Sequence, residues 1–160
     1  MVVVTCYLST YSLFTEFPRP QDIEKWTHTE VLVAESRLDQ GNVRTAIEEV
    51  FAAHPALGAV FEPTCDRWMY RPGGGWVWAV EPPGVAVPEA IARQRAGYDM
   101  RTGRLFAASL LPGDPDRLVL TASHLCVDGP AWHGVVDDVI AAYPGGDLEV
   151  AADGHRRDGG

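Results

Sequence analysis

The sequence predicts an α+β fold, a two-layer sandwich of helices on a sheet, built as one domain. Two segments carry apolar residues at helical spacing. Short apolar runs end at glycine- and proline-rich turns. The strand-like runs also come as adjacent pairs rather than alternating singly with helices, which favours this class over a doubly wound parallel sheet.

Each element follows from local chemistry. "EVLVAESRL" (30–38) is apolar and alternating, a strand reading. It runs into Asp39, a fitting helix N-cap, and then into "NVRTAIEEVFAAH", where Val43, Ile47, Val50, Phe51 and His54 form one stripe. Pro55 closes that helix by disfavouring helical geometry in the residue before it. "LGAVFEP" and "RWMYRP" read as two strands joined by a turn at Thr64–Asp66, and "WVWAV" (76–80) as a further strand after the "GGG" at 73–75. Pro83 and Pro88 bound a linker, and Pro88 fits the first turn of the helix "PEAIARQRAGY". "RLFAASLL" (104–111) and "RLVLTASH" (117–124) flank "PGDPD" and form a hairpin pair. "PAWHGVVDDVIAAY" (130–143) sets Trp132, Val135, Val136, Val139, Ile140 and Tyr143 on one helical face. The remainder, 144–160, is polar and glycine-rich and is expected to be a flexible tail beyond a domain spanning 1–143.

Composition bounds the function. The chain has 160 residues, 46% hydrophobic and 22% charged, enough for one substantial core. A net charge of −9 without a clustered basic patch argues against nucleic acid or an anionic membrane surface as partner. Cys6, Cys65 and Cys126 are odd in number and share no CxxC spacing, so neither a disulfide framework nor structural zinc is expected. The opening "MVVVT" lacks the length and charged flank of a signal peptide, and a cytoplasmic location is expected. No GxGxxG or P-loop pattern occurs.

The polar features converge on "LTASHLCVDGPAW" (120–132). In a strand over 117–124, Leu118, Leu120, Ala122 and His124 share one face, with Val119, Thr121 and Ser123 on the other. His124 ends the apolar row, and the chain turns to Asp128-Gly129 before the helix at Pro130. A neutral histidine at a half-dry strand end can accept a proton, and the helix N-terminus would favour negative charge at the turn. From spacing alone, the simpler reading is a strand-end histidine beside a turn aspartate. A metal site from His124, Asp128 and His133 would need His133 to turn back to the loop, and no metal is expected. A Cys126 nucleophile has nothing to depress its pKa, and a Ser123–His124 dyad fails because strand neighbours point apart. His54 reads as helix-end packing, the tryptophans at 68, 76 and 78 as sheet packing, and His28, His133 and His155 stand in no motif.

"SHLCVDGPAW" resembles the HHxxxDGxSW motif of the condensation domains of nonribosomal peptide synthetases, part of the chloramphenicol acetyltransferase-like group of acyltransferases. The resemblance extends to "RLDQGNVRTAIEEVFAAHPALGAVF" (37–61), to "YDMRTGRLFAASLLPGDPDRLVLTASH" (98–124), to "WHGVVDDVIAAY" (132–143) with its Asp138 and Tyr143, and to the opening "YLSTYSLFTE". It covers roughly residues 7–143 in family-like order. It implies the N-terminal lobe of such a domain, a single chloramphenicol acetyltransferase-like lobe with a mixed sheet. His124 would orient or deprotonate the acceptor amine or hydroxyl. Asp128 would hold the loop, pairing with an arginine, and Gly129 would let a pantetheine arm come close. No bound cofactor is implied; the substrates would be phosphopantetheine or coenzyme A thioesters.

Departures from the pattern are Ser123 for the motif's first histidine, Ala131 for its serine, and Ala53 and Gly58 for the arginines of the family's "RHPALR" segment. The resemblance spans one of two lobes, so activity would need a second condensation lobe or a homo-oligomer. Two functions follow: an amide- or ester-forming acyltransferase, or a non-catalytic lobe that binds a carrier protein or synthetase module. Arg93 with Arg95, or Arg101 with Arg104, are the candidate basic contacts for an acidic carrier protein.

Overall fold

The computed structural model describes residues 27–62, 67–70, 75–99, 102–145 and 148–151. The opening "YLSTYSLFTE", the turn at Thr64–Asp66, Arg101 and His155 lie outside these residues. In chain order the elements are β1 (Thr27–Ala34), α1 (Gln40–Ala53), a 3-10 turn (Pro55–Gly58), β2 (Ala59–Glu62), β3 (Arg67–Tyr70), β4 (Val77–Val80), α2 (Val87–Ala96), β5 (Phe106–Leu111), β6 (Arg117–Ser123), α3 (Gly129–Ala142) and β7 (Leu148–Val150).

The main sheet has the order β4-β5-β6-β1-β7, and β2 pairs with β3 as a separate antiparallel ribbon. β5 and β6 form the expected antiparallel hairpin, and β1 runs antiparallel to β6. β4 joins β5 in parallel, which makes the sheet mixed. A parallel neighbour needs a crossover, and α2 lies within the one between β4 and β5.

β5 is buried at all six positions and β6 at all but Arg117. Such runs need cover on both faces, and the molecule supplies it. Leu32, Ala108, Leu110, Leu118, Leu120 and Ala122 pack in one core with Val43, Ala46, Ile47 and Val50 of α1 and Trp132, Val135, Val136 and Val139 of α3. Val119 and Leu111 point the other way and meet Ala90, Val87 and Ile91 of α2. Gln94 of α2 donates its side-chain N–H groups to Ser109 Oγ at 2.7 Å and to the Val119 carbonyl at 3.0 Å. The three described helices therefore divide, two on one face and one on the other.

The predicted helical stripes are the core-facing ones. Asp39 caps α1 through Oδ1, which accepts the Asn42 N–H at 2.8 Å. The Asp39 N–H donates to Tyr143 Oη at 3.1 Å, while His54 at the other end of α1 pairs with Asp138 at 2.6 Å. These two contacts tie both ends of α1 to the C-terminal half of α3, so His54 does more than pack. Trp76 and Trp78 lie against the main core, edge to face at 6.0 Å.

Two readings change. The apolar pattern predicts a strand over 30–38, whereas β1 runs from Thr27 to Ala34 and so both starts and ends earlier. Part of the expected tail is structured: Leu148–Val150 pairs antiparallel with Leu32–Ala34. Leu148 is buried and satisfies an otherwise open edge of β1, a gain that glycine-rich composition does not reveal.

Gly103 occupies the left-handed region at φ +77°. A Cβ there would lie 2.8 Å from Val60 Cγ2 and 3.2 Å from two carbonyl oxygens, so only glycine fits the turn before β5. Asp116 is buried at 6% exposure, and its carboxylate accepts the Leu38 and Gly113 N–H groups, each at 2.9 Å. It ties the β5–β6 turn to the entry of α1. Asp116→Ala should lower the unfolding free energy in denaturant by about 3 kcal/mol, since it orphans two amides. Arg44→Ala, which breaks a pair exposed on both sides, should change it by only a few tenths.

Candidate active site at the β6–α3 turn

β6 ends at Ser123, so His124 belongs to the turn over 124–126 and not to the strand. Ser123 is buried, and its hydroxyl accepts the Leu125 N–H at 3.1 Å. Ser123 is buried and His124 is exposed, so the two side chains lie in different environments. Leu125, Cys126 and Val127 pack into the core beneath the turn, while His124 stays exposed above it.

Asp128 is the N-cap of α3: Oδ1 accepts the Ala131 N–H at 2.8 Å, and its carbonyl accepts the Trp132 N–H at 2.8 Å. The carboxylate thus ties the end of the loop to the first turn of α3. Its cap takes up the Ala131 amide and Pro130 has none, so the helix end does not present a row of open donors to the turn. Gly129 opens the helix, and a Cβ there would meet nothing within 4 Å. The described fold does not itself require glycine at this position.

The residue missing from the sequence reading is His28. β1 pairs with β6 in the register His28↔Ala122, which places His28 on the core-facing side and beside the turn. Its ring stacks on His124 with centroids 3.5 Å apart and planes 26° apart. The Trp132 ring also stacks on it, 5.6 Å away and nearly parallel at 13°. His28 Nε2 lies 3.0 Å from the Val127 carbonyl. A carbonyl only accepts, so Nε2 carries the proton and Nδ1 of the neutral ring is bare. The available signal was the face shared by His28, Glu30, Leu32 and Ala34, but a strand begun at 30 leaves the histidine outside it.

Burial holds both imidazoles below the usual histidine range. For His28 the pKa falls to about 4, first through desolvation and then through the charge His124 would carry. The Val127 hydrogen bond and Asp128 oppose the fall, and His133 adds slightly to it. For His124 desolvation is the cause and the direction is also down. At pH 7 both rings are neutral, so His124 is ready to accept a proton.

Other candidates separate from this cluster. Cys126 is fully buried, its Sγ is 3.2 Å from the Ser123 carbonyl, and burial pushes its pKa up to about 12, the opposite of an activated nucleophile. Among the described residues, no group of three or more His, Cys, Asp or Glu side chains is placed to hold a metal. Arg93, a candidate carrier contact, is committed to the buried Glu81 and to Glu89. A cavity of about 280 Å³ lined by Ala34–Arg37 and Gly113–Asp116 lies at the opposite end of β1, on the order of 20 Å from His28 at strand rise. Among the described residues no helix is long and apolar enough to cross a membrane.

No family model matches the chain. It is 27% identical over 158 residues to N-(5-amino-5-carboxypentanoyl)-L-cysteinyl-D-valine synthase of Amycolatopsis lactamdurans, across 88% of this chain and 4% of the synthase. It is 24% identical over 146 residues to a linear gramicidin synthase of Brevibacillus parabrevis, across 75% of this chain and 3% of that synthase. Among solved structures, the epimerization domain from the third module of tyrocidine synthetase B superposes with a TM-score of 0.70 at 22% identity, over 88% of this chain and 34% of that one. The X-domain from teicoplanin biosynthesis gives a TM-score of 0.65 at 18% identity, over 88% and 31%. The chain has the fold of a condensation-domain lobe. The lobe spans about a third of the length of these solved domains and a few per cent of the synthetases.

The lobe's stability should depend on pH through His28. Its folded pKa of about 4 lies below the unfolded value of 6.5. The unfolded chain therefore binds the extra proton first, and stability present above pH 6.5 is lost as pH falls toward 4. Denaturant midpoints should fall between pH 6.5 and 4.5, above most carboxylate titration. His28→Phe should flatten that fall, leaving the part due to His124.

Proposed function

We propose that the lobe contributes the proton-handling half of a condensation-type acyltransferase, with His124 as its catalytic residue. The carrying observation is the neutral, exposed His124 imidazole at the turn between β6 and α3, stacked on His28. In the reaction, an acceptor amine or hydroxyl attacks the acyl carbon of a phosphopantetheine or coenzyme A thioester. A C–N or C–O bond forms and the C–S bond breaks. His124 takes the proton from the acceptor and returns it to the departing sulfur, leaving a free thiol. Asp128 holds the loop by capping α3, and Gly129 leaves room for the thioester arm.

The partners of this reading are a carrier protein or synthetase module and a second lobe that completes the channel wall, either another condensation lobe or a copy of this chain. An acidic carrier meeting a chain of net charge −9 needs a local cation. Arg93 is occupied by carboxylates, which leaves the exposed Arg104 as the better contact. A second reading, a non-catalytic interaction lobe, is favoured by one feature: Ser123 stands where the motif has its first histidine, and its hydroxyl is turned inward to the Leu125 amide.

The test is product formation from an acyl thioester and an amine, with the chain supplied alone and with a second lobe. His124→Ala should reduce turnover by about 10²–10⁴-fold, the usual worth of a positioned proton acceptor. Gly129→Ala should leave unfolding unchanged or slightly raised while slowing turnover. Turnover indifferent to His124→Ala would remove His124 as the catalytic residue, and no turnover with any second lobe would establish the non-catalytic reading. Light scattering should give a mass above that of one chain whenever turnover is seen; an active monomer would refute the need for a second lobe.

A further inference from the structure

We propose that His28 is the positioning residue for His124: anchored to the Val127 carbonyl and backed by Trp132, its ring forms a fixed, uncharged platform that orients the His124 imidazole and shields one of its faces. The inference rests on the reading of His124 as the proton acceptor, but it concerns a residue outside the motif and on a different strand.

The geometry supports each part. His28 is the ring common to both stacking contacts, 3.5 Å from His124 and 5.6 Å from Trp132. Trp132 is buried at 3% exposure and cannot move without opening the core. The single N–H of the neutral His28 ring is used on the Val127 carbonyl, which fixes both its tautomer and its plane. A ring 3.5 Å away keeps water from one face of His124, and that loss of solvent penalises the imidazolium. The platform works only while it is uncharged, because a second cation at this distance would repel a proton arriving on His124.

The groups that face the pair come from every neighbouring element. His133 and Asp128 belong to α3 and its cap, and they act on His28 with opposite sign. Glu30 shares the core-facing side of β1 two residues on. From the turn comes the Val127 carbonyl, a fixed dipole toward Nε2. None of them supplies a ring face against His124. That contact is the specific contribution of His28.

Two substitutions separate the ring from the hydrogen bond. His28→Gln can still donate an N–H to the Val127 carbonyl but removes the ring. His28→Phe keeps a ring and removes the donor. The readout is the NMR titration of the His124 imidazole in the full chain, assigned by loss of its signals in His124→Ala. In His28→Gln the titration should move up toward the ordinary value of about 6.5; in His28→Phe it should stay depressed as in the unsubstituted chain. If His124 titrates at one pH in all three proteins, the platform role is overturned. Where turnover is measurable, the acid limb of its pH profile should follow the same order. A shifted titration together with turnover indifferent to His124→Ala would keep the platform and remove the catalytic reading, so the two failures are distinguishable.

Discussion

The pairing of β1 with β6 governs most of what this molecule does. β6 lies in the middle of the sheet, buried on both faces, and its final residue delivers the chain into the turn that bears His124. The antiparallel register sets His28 opposite Ala122, so that a residue nearly one hundred positions earlier reaches the same turn. Slipping this register by one residue would send His28 to the α2 side and Thr27 or Thr29 to the turn. The core forbids the slip, because the same shift would expel Leu32 from contact with α1 and α3. The apolar packing of β1 and the chemistry at its end are thus one constraint.

The loop between β6 and α3 shows how a short segment is made rigid without a long hydrogen-bond network. Three consecutive residues, Leu125 to Val127, are buried under it, while Asp128 caps the helix that follows. His124 is exposed because its neighbours are anchored. Ser123 contributes from the other side, its hydroxyl closing a local bond to the Leu125 amide. A histidine at 123 would have to put a full ring into a site now filled by a serine at 0% exposure. The small residue here and the ring at 28 belong to one packing solution.

Much of this was legible in the sequence because it depends on local rules. Apolar periodicity found the faces of α1 and α3; the carboxylates at 39 and 128 stood at helix starts; "PGDPD" marked the β5–β6 hairpin. What was not legible depends on pairing between distant segments. β7 is three residues of an unremarkable tail until Leu148 finds the edge of β1. Arg93 looks like a free surface cation until the chain folds Glu81 beneath it. His28 carries no motif, since its relation to His124 exists only through strand register. The resemblance to condensation domains compensates for such blindness at motif positions, and only there.

A proton acceptor in a half-dry site faces a conflict. Burial keeps it neutral, yet burial deep enough to do so strongly would also deny it contact with substrate. In the proposed reading the task is divided between two rings. His28 is the more deeply placed, and its stronger pKa depression keeps it uncharged through the range in which His124 would work. His124 needs only one covered face to share in that effect, and the residue as a whole remains exposed. A nearby carboxylate would ordinarily spoil the balance by stabilising a cation, but that of Asp128 is oriented toward the α3 amide, which consumes part of its field. A single buried histidine could be neutral or accessible; two stacked rings anchored by one hydrogen bond allow the outer one to be both.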